Sequence, residues 1–167
     1  MARNPKHRKQ ESKKEEEQHP GVPSAAYDIQ LSEAAEGAYR HYHERAEAAK
    51  ARGDMASSHI TALNMIDEVI EKIIPRDPFN RKYALTGKLA KIFRMQKGRL
   101  RICWIGSSVR RKIYVLFISE TLRKAGDVND PYRLLTNMVL SGEFDALFER
   151  LGLKPPSSME RHGIREQ

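Results

Sequence analysis

Residues 91–119, KIFRMQKGRLRICWIGSSVRRKIYVLFIS, decide the fold. Lys91-Ile92-Phe93-Arg94-Met95 reads as one strand, turned at Lys97-Gly98. In the next strand Leu100, Ile102 and Trp104 alternate with Arg99, Arg101 and Cys103. That period of two sends the two sets to opposite faces of a sheet. Arg99 and Arg101 are therefore expected on one face, opposite the apolar set, with Arg94 on the neighbouring strand. Gly106-Ser107-Ser108 is expected to form a turn. Lys112 to Ser119, KIYVLFIS, is the apolar run of a central strand buried on both faces.

Upstream, Tyr27-Asp28-Ile29-Gln30-Leu31 alternates and predicts a short strand. Ser32 is a natural helix N-cap, with Glu33 and Glu36 favourably placed in the first turn. Ala35, Ala38, Tyr39, Tyr42, Ala46 and Ala49 recur at helical spacing to about Arg52, and Gly53 stops the helix. Asp54 is expected to cap a second helix with the apolar stripe Met55, Ala62, Leu63, Ile66, Val69, Ile70 and Ile73, ended by Pro75. The segment from Asp77 to Thr86 reads as a loop. Downstream, Asp130 and Pro131 open a helix that Ser141-Gly142 stop, and a short helical turn follows over 143–151. The order βααβββ followed by C-terminal helices predicts an α+β fold, a helical hairpin packed on a small antiparallel sheet.

The 167 residues fit one domain with extensions. Residues 1–25 read as a disordered charged leader, 26–153 as the folded domain and 154–167 as a flexible tail. No apolar run reaches a membrane span, and Arg3, Lys6, Arg8 and Lys9 lead into further charge rather than a secretory signal. A single cysteine, Cys103, excludes an internal disulfide and a cysteine metal cage, and a cytoplasmic home follows as the simplest expectation. The six histidines lie in tails or helices without metal-binding companions, so neither a metal nor a cofactor is expected. There is no nucleophile elbow, phosphate loop or glycine-rich dinucleotide fingerprint.

Charge is unevenly placed. The chain carries +8 overall with a pI near 9.7. Between Ala84 and Gly126 eleven basic residues face the single acid Glu120, a local balance of +10. A stripe this dense fits phosphate or an acidic partner. If Arg94, Arg99 and Arg101 converge on an open concave face, with Arg123 and Lys124 just past the central strand, the face suits RNA cleavage by 2′-OH attack. That reaction needs no metal, because arginine forks match the oxygens of the dianionic phosphorane. A partner interface or a solvated surface remain the alternatives from residue types alone. Aromatic content of 7% offers no stacking platform for a plain nucleic-acid-binding module.

The stretch IFRMQKGRLRICWI…KIYVLFISETLRKAGDVNDPY resembles the end of a RelE/ParE-superfamily toxin of a type II toxin–antitoxin system. Such toxins carry a strand ending near glycine, a strand opening on arginine, and an apolar strand closing in a short basic tail. The string LFISETLRKAGDVNDPY, then a helix and SGEFD, is most similar to the ParE-like branch, and the resemblance spans roughly residues 27–150. It implies an mRNA endonuclease acting at the ribosome and neutralised by a cognate antitoxin. By position, it implies that Arg101 stabilises the scissile phosphate. Arg94, with Lys91 as second choice, takes the basic position before the glycine turn, and Arg123 the transition-state contact after the last core strand. Tyr132 takes the place of the tyrosine near the C-terminus, at longer spacing than usual, or packs on the core. Lys88, Lys97, Arg99 and Lys124 are the expected RNA contacts. ParE proteins share the fold but inhibit DNA gyrase, so a gyrase-binding toxin is the alternative that the resemblance also carries.

Overall fold

Ser32 joins the first strand to the first helix. Its hydroxyl accepts the Ala35 N–H at 3.0 Å and donates to the Leu116 carbonyl at 2.6 Å, while its own N–H bonds the Val115 carbonyl at 2.8 Å. One residue thus caps a helix and ties its start to the central strand. The computed structural model describes residues 26–120 and 130–163. The leader 1–25 and the pair Arg123 and Lys124 lie outside these residues.

Strand β1 (Asp28–Leu31) precedes helix α1 (Glu33–Ala51), whose buried face is Ala35, Ala38, Tyr42, Ala46 and Ala49. Four alanines on that face let α1 lie close to the sheet. The second helix begins later than expected: α2 is Ser58–Glu68, and Ser57 rather than Asp54 supplies the cap, accepting the His59 N–H at 3.2 Å. Gly53 turns the chain at φ +73°, and the Asp54 N–H bonds back to the Ala49 carbonyl at 2.9 Å. Asp54 therefore belongs to the end of α1, and Met55 is left exposed instead of joining the stripe. Beyond α2 a π-turn, Val69–Ile73, leads into a last turn α3 (Ile74–Arg76). The wider turn lies just before Pro75, whose ring has no N–H and crowds the preceding helical carbonyls.

The sheet has the order β1-β4-β3-β2, with β2 at Phe93–Lys97, β3 at Leu100–Ser107 and β4 at Lys112–Ile118. β2, β3 and β4 are successively antiparallel, whereas β1 joins β4 in parallel, so the sheet is mixed rather than wholly antiparallel. Two strand limits differ from the sequence reading. Lys91, at φ +76°, belongs to the turn before β2. Gly106 lies inside β3, where a Cβ would sit 2.9 Å from the Phe79 ring, and the turn falls on 108–111 with Arg111 at φ +51°. Glycine at 106 serves a close approach.

Two cores cover the two faces. Leu100, Ile102, Trp104, Ile113, Val115 and Ile118 pack against α1 and α2. Cys103, Ile105, Tyr114, Leu116 and Phe117 face α4 (Pro131–Leu140) and α5 (Asp145–Arg150), through Leu135, Val139, Phe144 and Phe148. A bulge lies between these sets: Cys103 pairs with Phe117 but Trp104 with Val115, leaving Leu116 as the extra residue. It sends Leu116 and Phe117 to the same core and moves everything after them by one register step. The arginine-bearing face is therefore not the open concave surface expected from the sequence, since α4 and α5 cover most of it. Pro156–Gly163, expected as part of a flexible tail, forms helix α6, and the Ser157 hydroxyl donates to the Asp145 carboxylate at 2.6 Å.

Candidate active site

Cross-strand register puts Arg94 opposite Cys103 and Gln96 opposite Arg101, so these four residues share the face that α4 covers. α4 starts beside them. Asp130 caps it by accepting the Tyr132 N–H at 3.0 Å, and Pro131 occupies its first turn. Tyr132 is thereby aimed from the helix start at the two arginines. Arg94 Nη1 donates to the Tyr132 hydroxyl at 2.6 Å, and the Arg94 guanidinium lies 5.2 Å from the ring centroid. The Arg101 guanidinium lies 5.8 Å from the same centroid. One phenol ring thus holds two cations near its π-system.

Arg101 is fixed from several directions. Its Nη1 donates to the Gly98 carbonyl at 2.8 Å and to the Leu100 carbonyl at 3.2 Å, which pins it over the two-residue turn that Gly98 opens at φ +57°. Its Nε is buried and has no hydrogen-bond partner among the described residues. Among the described residues neither Arg94 nor Arg101 forms an ion pair with a carboxylate. Two guanidiniums set near one ring, with no carboxylate partner among the described residues, have the fork geometry that suits an anion of tetrahedral or trigonal-bipyramidal oxygens.

The end of β4 supports this corner. The Ser119 hydroxyl accepts the Arg101 N–H at 2.9 Å, the Ser119 N–H donates to the Arg101 carbonyl at 2.9 Å, and the Tyr42 hydroxyl donates to the Ser119 carbonyl at 2.5 Å. Burial, helped by Glu120, pushes the Tyr42 phenol up to about 12. Burial also pushes the Cys103 thiol up to about 12 against the opposing pull of Arg94 and Arg101, so it stays protonated behind them and is no nucleophile. Sequence reasoning passed over Ser119 and Tyr42. The only signal was a serine closing an apolar run and a tyrosine on an alanine-rich helix face.

The remaining sequence candidates scatter. Lys97 sits on the opposite face and pairs with Glu68 at 2.9 Å, away from the Arg94 corner. Arg99 lies in the exposed hairpin turn rather than on the strand face with Arg101, because β3 begins at Leu100. Lys88 is exposed in the short 3-10 turn Gly87–Leu89, and Lys91 is exposed in the turn before β2. At the far end of the sheet the Arg110 guanidinium donates to the Arg150 carbonyl and lies beside Gly152, Arg111 lies over Tyr27, and Lys112 pairs with Asp28 at 3.6 Å. The basic stripe of the sequence is thus divided between two ends of the sheet. Among the described residues no three His, Cys, Asp or Glu side chains are grouped to hold a metal ion, and no helix is long and apolar enough to cross a membrane.

Residues 30–154 match the model of the YhaV toxin family, a toxin with endonuclease activity of a toxin–antitoxin system. The chain belongs to this family. The match runs from within β1 to just past α5 and contains Arg94, Arg101, Ser119 and Tyr132. The chain is accordingly an endonuclease toxin whose counterpart is a cognate antitoxin. Among solved structures, the toxin is similar to a chain of the toxin–antitoxin complex RelBE2 from Mycobacterium tuberculosis, with a TM-score of 0.43 and 14% identity over 59% of this chain and 94% of that one. No curated protein matches the toxin.

Proposed function

We propose that the toxin cuts RNA by attack of a ribose 2′-OH on the adjacent phosphate, with messenger RNA on the ribosome as its target in the cytoplasm. The observation that carries this reading is the Arg94–Tyr132–Arg101 group, two guanidiniums near one phenol ring with no carboxylate partner among the described residues. Arg94 and Arg101 bind the non-bridging oxygens and gain strength as the phosphorane accumulates its second negative charge. Arg94 donates to the phenol oxygen, leaving the phenol's own proton for the leaving group. The 2′-oxygen bonds to phosphorus and releases its proton to water. The bond from phosphorus to the 5′-oxygen breaks, and Tyr132 delivers its proton to that oxygen. The products are a 2′,3′-cyclic phosphate and a 5′-hydroxyl, with Tyr132 reprotonated from solvent. Lys88, Lys91 and Arg99 contact the RNA beside the cleavage site, Arg123 contacts the transition state and Lys124 the RNA, and residues 26–153 form the catalytic unit.

The family's endonuclease activity favours this reading over a gyrase-binding toxin. An acidic antitoxin segment laid over the Arg94–Arg101 corner would block substrate through the same charges. The test is induced expression of wild type against Arg101→Ala, with messenger RNA mapped by primer extension. The expected result is growth arrest with new cleavage ends that vanish in Arg101→Ala. Arrest with intact messenger RNA would reject RNA as the substrate. Cleavage products carrying a 3′-hydroxyl would reject the 2′-OH mechanism.

A further inference from the structure

We propose that Ser119 and Tyr42 are positioning residues for the reaction, holding the backbone of Arg101 so that its guanidinium meets the scissile phosphate. The inference rests on the reading of Arg101 as a phosphate ligand.

The bulge at Leu116 creates the arrangement. Continuing the regular pairing of Trp104 with Val115 would bring Ile118 opposite Arg101. The extra residue brings Ser119 there instead, and its N–H donates to the Arg101 carbonyl. In an ordinary antiparallel pair the Ser119 carbonyl would take the Arg101 N–H in return. Here that carbonyl takes the Tyr42 hydroxyl from α1, and the serine side chain fills the vacancy by accepting the Arg101 N–H. The exchange joins α1, β4 and β3 at one buried point. Ser119 is 1% exposed and Tyr42 2% exposed. Both polar groups are matched there, as buried polar groups need to be.

The consequence is directional. The Arg101 side chain leaves a backbone whose N–H and carbonyl are both fixed by Ser119, and Ser119 is itself fixed by a helix on the other face. Only the guanidinium end, held to the Gly98 and Leu100 carbonyls and leaning on Tyr132, faces the substrate side. Neither Ser119 nor Tyr42 touches RNA in this arrangement. Each acts through Arg101.

Single-turnover cleavage of messenger RNA programmed on ribosomes, in a purified translation mixture, separates the limiting rate from the half-saturating toxin concentration. Ser119→Ala is expected to lower the limiting rate by about tenfold to a hundredfold, the scale of an ångström of misplacement, with half-saturation little changed. Ser119→Thr keeps the hydroxyl and restores most of the rate. Tyr42→Phe, which keeps the ring and the fold, shows a smaller loss of the same kind. In an Arg101→Ala background neither substitution reduces the residual rate further, because residues acting through one group are not additive. Losses that multiply in that background would overturn the proposal, since both residues would then act on the fold at large. Wild-type cleavage by Ser119→Ala alongside an inactive Arg101→Ala would overturn it and leave the role of Arg101 standing. Wild-type cleavage by Arg101→Ala would remove the reading of Arg101, and this proposal with it.

Discussion

Replacing Tyr132 by phenylalanine separates the chemistry of its hydroxyl from the packing of its ring. The substitution deletes one atom, the oxygen that receives the Arg94 N–H at 2.6 Å. The ring remains, with both guanidiniums still able to lean on its face at 5.2 and 5.8 Å. The structural cost is one hydrogen bond from a charged donor at a half-buried position, at most about 1.5–3 kcal/mol and less where water replaces it. Loss of a proton donor to the 5′-oxygen costs about 10²–10⁴ in rate, or roughly 3–5 kcal/mol at 1.36 kcal/mol per decade. The catalytic effect should therefore exceed the stability effect. Single-turnover RNA cleavage and urea unfolding on the same two proteins measure both. The expected result is a limiting rate lower by about two to four decades with a unfolding midpoint close to wild type. Cleavage by Tyr132→Phe within about threefold of wild type would refute proton transfer by Tyr132, because so small a change is below what general acid catalysis contributes.

Four further outcomes follow from the packing. Phe148→Ala, at a fully buried side chain beneath the arginine face, is expected to cost about 3–5 kcal/mol in urea unfolding; a loss under about 1 kcal/mol would mean that α5 does not form this core. Gly106→Ala places a Cβ 2.9 Å from the Phe79 ring and is expected to destabilise by about 1–3 kcal/mol. Gly37→Ala, inside α1 with nothing within 4 Å of the new Cβ, is expected to stabilise by up to about 1 kcal/mol, and thermal melts that fail to separate the two would contradict the packing of β3. The Tyr39 and Tyr42 phenols are both raised to about 12, chiefly by burial, so the unfolded chain loses their protons first as pH rises. Stability is then intact below about pH 10 and falls between pH 10 and 12; Tyr42→Phe should flatten that fall, and an unchanged alkaline profile would count against burial of the phenol.

Local patterns carried much of this structure. Ser32 followed by two glutamates marks a helix start wherever the rest of the chain goes, because the cap satisfies N–H groups only a turn away. KIYVLFIS marks a buried central strand because that many apolar side chains cannot be left in water. Arg94 and Arg101 were likewise recognisable as residue types suited to phosphate chemistry, whereas Tyr132 was pointed to by the family resemblance alone. Tertiary structure decided which of these groups meet. Tyr132 reaches Arg94 across 38 positions only because α4 packs its start against β2 and β3. Lys97 and Arg99 look equivalent to Arg101 in a basic stripe. A strand that begins one residue later and a salt bridge to Glu68 put them elsewhere. The bulge at Leu116 left no mark in the sequence, since every residue around it is apolar, yet it sets which side chain stands opposite Arg101. Caps, turns and apolar runs depend on neighbours along the chain and can be read from it. Register, and the covering of a face by a distant helix, depend on how two cores pack at once, a property of the whole sequence that no single stretch contains.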